Sequence, residues 1–249
     1  FYRVRLQDLA SPTVIGPAQV GRFRTAPADR RSVSFIWSGD TAGQGWGIDE
    51  ARGGMRTYAT MLGHRPDFFV HSGDSIYADC PIERELKLPD GTIWRNLVTE
   101  EKSEVAQTLA QFRGNHKYNL LDANLRAFNA EVPVIAQWDD HEVANDWWPE
   151  RVIDEKGYRE RSAMLLSARA SRAFHEYMPT RQTMAEPGRV YRKIADVPKL
   201  DVFRIDMRSY GGPNDAKAAS EGALGPKQGA WLKRWLAAST AAWEVIAAG

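Results

Sequence analysis

Asp139, Asp140, His141 and Glu142 stand side by side directly after the apolar run Val132-Pro133-Val134-Ile135-Ala136. Like charges this close repel one another, and a carboxylate withdrawn from water needs a partner. A metal ion would meet both demands. Three more apolar runs end in the same way: Val33 to Trp37 leads into Ser38-Gly39-Asp40, Phe68 to His71 into Ser72-Gly73-Asp74, and Val202 to Ile205 into Asp206. In an open α/β sheet, ligands bind outside the carboxyl ends of the strands, so these aspartates are expected to converge. Hard oxygen ligands gathered there suit divalent or trivalent cations, and a pair of such cations clamps phosphoryl groups. Asp74, in the middle of the series, is the natural bridging ligand. Any one of the four positions also fits an Asx turn or a helix cap, and Asp206 reads as mostly structural.

The elements that must position these residues follow from hydrophobic period and punctuation. Strands are expected at 2–6, 20–24, 33–37, 68–71, 132–136, 202–205 and 243–249, the last of them buried. Helices are expected at 48–62, with Gly63 as its cap, and at 100–112, 120–129, 160–177 and 226–238. Pro27 closes the first strand pair, and residues 26–31 form a linker. The loop over residues 75–91, with Pro81, Pro89 and the Asp90-Gly91 turn, is long enough to act as a functional cover. Alternating strands and helices argue for an α/β fold, with residues 1–27 a separate β module and 28–249 the main domain. Both termini fall inside apparent strands, so the chain is expected to be a segment of a longer protein, with further ligands beyond Gly249 and weak or no activity in residues 1–249 alone.

Composition narrows the function classes. The 33 basic and 32 acidic residues are interspersed, so nothing announces specific nucleic-acid recognition. The single cysteine, Cys80, rules out an internal disulfide framework and a cysteine-rich zinc site, and reads as a small buried residue. No run is long and apolar enough for a transmembrane segment. Gly43-Gln44-Gly45-Trp46-Gly47 follows a strand as a dinucleotide loop would, but Ile48 stands where the third glycine belongs.

The blocks Ser38-Gly39-Asp40, Pro66 to Asp79, and Trp138-Asp139-Asp140-His141-Glu142-Val143-Ala144-Asn145 closely resemble the PhoD-type alkaline phosphatases of the metallophosphoesterase superfamily. Arg113-Gly114, Tyr118 to Asp122, Asp206 to Tyr210, Leu224-Gly225, Gln228 and Trp231-Leu232 extend the resemblance along nearly the whole chain. It implies a four-layer αββα sandwich, incomplete here, preceded by the tail of a small β-sandwich domain in residues 1–27. It also implies roles. Asp40 resembles the first metal ligand, Asp74 the bridging aspartate, and Tyr77 a phenolate ligand to iron(III). Asp140 takes the place of the second-metal asparagine, and His141 that of the histidine that contacts phosphate and assists the leaving group. Asn145 is a further metal-ligand candidate, and Arg208 a clamp for the substrate phosphate, although Gly211 stands where many relatives carry arginine. The downstream Gly-Asp-x-His block of the family lies outside this sequence.

The function implied is metal-dependent hydrolysis of small-molecule phosphate mono- or diesters by a metal-activated hydroxide. Two or more ions, iron(III) and calcium, would serve a periplasmic or secreted monomer. The alternative is a truncated, non-catalytic binding or structural module with half a metal site. Asp79 and Glu142 are either supports for the ligands or plain solvated charges, and His64, His71, His116 and His175 read as satisfied structural histidines.

Overall fold

The computed structural model describes residues 1–11, 13–26, 31–181, 186–196, 199–213 and 222–249. The expected linker, the closing Pro27 and the boundary between residues 27 and 28 fall at or across positions outside that set. Among the described residues the chain is a mixed α/β structure. Strands β3 (Phe35–Ser38), β4 (Phe68–Ser72) and β7 (Val134–Gln137) form a parallel sheet in the order β3-β4-β7. A second sheet, in the order β10-β9-β8, joins β8 (Arg192–Asp196), β9 (Leu200–Arg204) and β10 (Trp243–Ala247). Here β10 runs parallel and β8 antiparallel to β9.

Side chains alternate across each strand, and the packing follows from that period. Val70, with Phe35, Phe68 and Ile135, meets Leu200, Val202 and Ala247 of the second sheet. Phe69 points the other way, against helices α1 (Arg56–Gly63) and α3 (Ala123–Glu131), where Tyr58, Met61, Leu125 and Phe128 cover it. On the far side of the second sheet, Phe203 and Tyr191 pack on Trp231 of helix α5 (Gly225–Ala237). Arg204, almost fully buried, ties the two sheets by donating to the Ala136 carbonyl of β7, and also bonds Val190 O at 2.8 Å. Helices α2 (Leu109–Asn119) and α4 (Ala163–Tyr177) close the core beneath the end of β7, with Trp138, Phe112, Leu166 and Phe174 in one cluster.

Several expected boundaries move, each for a local reason. The expected helix over 48–62 is a short 3-10 turn, Glu50–Arg52, followed by α1. Gly53 and Gly54 both take positive φ and break it, and Gly63 lies inside α1 with His64 as the C-cap. The one over 100–112 is likewise a 3-10 turn, Glu100–Lys102, then α2, which starts where Thr108 and Gln111 form a reciprocal capping box. Asp122 caps α3 through Leu125 N, leaving Leu120 and Leu121 exposed before it, and Ser162 caps α4. The second N-terminal strand is Val14–Gly21 rather than 20–24; it pairs antiparallel with β1 (Tyr2–Gln7), so the turn shrinks to the residues between them.

The loop over 75–91 contains β5 (Glu85–Lys87), hairpinned through Asp90-Gly91 to β6 (Ile93–Arg95). Strand β8 was not expected, because Arg-Lys-Ile-Ala-Asp carries too little apolar signal. Strand β10 is an edge strand with Trp243 and Ile246 exposed, not the buried strand its apolar run implied. No helix among the described residues is long and apolar enough to cross a membrane.

Two histidines inside this core give it a pH dependence. Burial holds His116, stacked on Tyr177 between α2 and α4, down at about 3, with Glu176 opposing, and holds His71 down at about 4. Both are neutral when folded and take up a proton near 6.5 when unfolded. The unfolded state therefore binds more protons below about pH 6.5, and stability should fall as pH drops from there towards about 4. Urea unfolding across that range should show the loss, and His116→Gln should flatten it.

Candidate active site

Two copies of one turn form the floor of the site. Ser38-Gly39-Asp40 ends β3 and Ser72-Gly73-Asp74 ends β4, and both aspartates sit in the left-handed region, at φ 59 and 54. Asp40 N donates to Gly73 O (3.1 Å) and Thr41 N to Asp74 O (2.9 Å), so the ladder between the strands continues through the turns. Gly73 has φ +99, and a Cβ there would lie 2.6 Å from Asp139 N and 2.9 Å from the Trp138 carbonyl carbon. The residue thus lets the turn after β4 close on the end of β7. Gly73→Ala should destabilise the protein by about 2 to 5 kcal/mol, the sum of left-handed strain and overpacking against backbone. Chemical denaturation of the variant measures it.

Asp74 is shared between two groups. Its Oδ2 lies 3.4 Å from the Tyr77 hydroxyl, which also donates to Asp40 Oδ1. Its Oδ1 accepts from His141 N at 3.3 Å. Asp74, Asp140 and His141 each offer a ligand atom within 4.8 Å of the others. Burial and the charges of Asp140 and Asp139 push Asp74 up to about 7 despite His141 beside it. Burial, together with the two aspartates it faces, raises the Tyr77 phenol.

His141 stacks on the Tyr77 ring at 4.3 Å between centroids. Its Nδ1 donates to the Asp79 carboxylate at 2.8 and 2.9 Å, which leaves Nε2 outside that contact. Burial lowers the imidazole, but the Asp79 hydrogen bond and charge, with Asp140 and Asp74, outweigh it and lift His141 to about 9. Asp79 is itself held by the Asn145 backbone amide at 2.7 Å.

Glu142, 1% exposed, joins the strand ends. One oxygen accepts from Ser75 N (2.6 Å) and Ser75 Oγ (2.7 Å), the other from Asp139 N (2.9 Å) and Asp74 N (3.2 Å). Burial and the Asp74 charge push it up to about 8, against the pull of those donors. Asp79 and Glu142, which the sequence left between support and solvated charge, are both partners of site residues, Glu142 buried and Asp79 half-buried.

Other expected residues are placed differently. Arg208 does not stand free for an incoming phosphate: its Nε bonds Asp139 at 2.6 Å, and its terminal nitrogens lie 3.5 Å from Asp140 and 3.7 Å from Asp146. Asp206 aims it, accepting from Arg208 N and Ser209 N in an Asx turn, as its structural reading required. The exposed Asn145 sends its side-chain amide to Asp146. His71 is only partly satisfied, with Nε2 on Thr41 at 2.8 Å and a buried Nδ1 without a hydrogen-bond partner, and His175 likewise leaves Nε2 without one. Cys80 is half-buried rather than buried.

Lys102 was missed altogether, because Glu100-Glu101-Lys102 reads as a solvated run. It is 3% exposed and bonds the Tyr77 and Cys80 carbonyls at 2.8 and 3.4 Å, bracing the loop that carries Tyr77 and Asp79.

The donors around Asp74 are carboxylate oxygens, a phenol oxygen and an imidazole, a set that fits hard cations with one imidazole contact. Fold and site together define an α/β protein with a candidate metal centre at the carboxyl ends of a parallel sheet. The chain belongs to the PhoD-like phosphatase family, whose model matches residues 35–249. It is 30% identical to "Alkaline phosphatase D" of Bacillus subtilis (strain 168), over 99% of this chain and 41% of that protein. The solved "Structure of PhoD" superposes with a TM-score of 0.70 at 28% identity, over 92% of this chain and 44% of that one. The chain thus spans less than half the length of both relatives.

Proposed function

We propose that this chain carries part of the active site of a metal-dependent hydrolase of phosphate mono- or diesters. The observation that carries the reading is Asp74, whose two carboxylate oxygens face Tyr77 with Asp40 on one side and His141 with Asp140 on the other. Asp40, Asp74 and Tyr77 would hold one ion and Asp74 and Asp140 another, with Asn145 at the rim. Bound there, iron(III) and calcium would supply Lewis acidity and neutralise charge developing on the phosphoryl group.

The chain's own residues do the rest. Asp79 fixes Nδ1 of His141 and so presents Nε2–H to the leaving oxygen as general acid. Arg208 holds Asp139 and Asp140 in place, and donates to phosphate only on releasing one of them. The layers of helix, sheet, sheet and helix are read as the four-layer sandwich of this superfamily, with residues 1–27 as the tail of a preceding β domain. The small-ester substrate, a monomeric state and a periplasmic or secreted location belong to the same proposal.

Turnover of an aryl phosphate and a bis-aryl phosphate by an intact protein containing this chain tests it, alongside metal analysis. Hydrolysis should stop on chelation and return with added metal. An intact protein that binds no metal and turns over neither ester is instead the binding module, whereas turnover that resists chelation would count against the metal.

A further inference from the structure

The chain's one cysteine borders the site without belonging to the carboxylate cluster. Ligand atoms of Asp79, Cys80 and His141 all lie within 4.8 Å of one another. We propose that these three residues form a second cation site, which takes a thiophilic divalent ion such as zinc or cadmium and inhibits the enzyme when filled.

Ligand chemistry separates this site from the other. The group around Asp74 is built on oxygen with the His141 imidazole beside it, whereas this triad shares that imidazole and adds a sulfur, a set that favours borderline and soft cations. It lies on the Nδ1 side of His141, where the imidazole already meets Asp79 at 2.8 Å. Three protein ligands leave a fourth position for water, and Cys80 is only half-buried.

The ligands are held in advance. Asn145 N fixes Asp79 at 2.7 Å, and the Lys102 ammonium grips the carbonyls of Tyr77 and Cys80. Burial and the Asp79 charge push the Cys80 thiol up to about 11, with Lys102 opposing, so the cation itself must displace the thiol proton. Binding would release the thiol proton and the Nδ1 proton, and would replace the Asp79–His141 hydrogen bond with two metal contacts. His141 would then lose the carboxylate that charges and orients it. The inhibitory half of this inference rests on the phosphate-ester reading above; the binding half does not.

Cadmium titration of the whole chain, followed by sulfur-to-cadmium charge-transfer absorbance, tests the binding. The band should saturate at one ion per chain and vanish in Cys80→Ser. Affinity should fall at least about tenfold in both Asp79→Asn and His141→Gln, with folding of each variant checked by circular dichroism. No band, or equal affinity in the Asp79 and His141 variants, would overturn the site and leave only a surface thiol. In the turnover assay, zinc should inhibit the wild type at concentrations at least about tenfold below those needed for Cys80→Ser. Equal inhibition would refute the regulatory half. Absence of any turnover in the metal-replete intact protein would count against the phosphate-ester reading, with the cadmium result still deciding the site.

Discussion

Asp74→Asn should lower kcat/KM for an aryl phosphate by at least about a hundredfold in an intact, metal-replete protein, while leaving the fold in place. The substitution keeps the shape of the side chain and one acceptor oxygen, so the contact from His141 N survives. What it removes is the charge that the Tyr77 side and the Asp140 side share. Burial, with the charges of Asp140 and Asp139, pushes the Asp74 carboxyl up to about 7, so neutralising it relieves desolvation and repulsion when no cation is bound. The metal-free variant should therefore melt at the same temperature as the wild type or higher. Its metal content and turnover should fall together. Unchanged turnover would remove Asp74 from the site, and a collapse in melting temperature would assign it to the fold instead.

Glu142→Ala should act in the opposite way, costing about 3 to 5 kcal/mol of stability before any chemistry is considered. Four donors converge on this buried carboxylate: two backbone amides from the turn after β4, the Ser75 hydroxyl, and the Asp139 amide at the end of β7. Removing their acceptor leaves several of them unsatisfied, each at about 1 to 3 kcal/mol where water does not enter. Glu142→Gln retains one acceptor oxygen and should fall between wild type and alanine. Urea denaturation of the three proteins gives the order, and a Glu142→Ala midpoint equal to that of the wild type would mean that the strand ends are not joined through this residue.

The floor of the site was legible in the sequence because its signals are local. An apolar run ending in Ser-Gly-Asp marks both a strand and the turn that ends it, with glycine required at Gly73, where φ is positive, and the doubling of that tripeptide marks two strands side by side. The charges of Asp139 to Glu142 showed that something must neutralise them, but not which of them faces inward. That division depends on contacts between residues some 67 positions apart, such as Ser75 with Glu142, which no periodicity encodes. Lys102 was hidden for the same reason: among neighbouring glutamates it looks solvated, and only the packing of the Tyr77 loop over it makes it a buried brace. Helix starts were misplaced wherever apolar spacing ran on through a break, as at Gly53-Gly54, since the period continues although the backbone does not. The engagement of Arg208 by Asp139, 69 positions away in the chain, is likewise invisible to local pattern.

The continuation of the β3–β4 ladder through both Ser-Gly-Asp turns also bears on how the site opens. The amides of Asp40 and Thr41 are protected only by carbonyls of Gly73 and Asp74. Their solvent exchange thus reports on the neighbouring turn rather than on their own. Hydrogen–deuterium exchange at these two amides should follow the turn after β4, so that a cation settling on Asp74 slows exchange at residues more than thirty positions away in the chain.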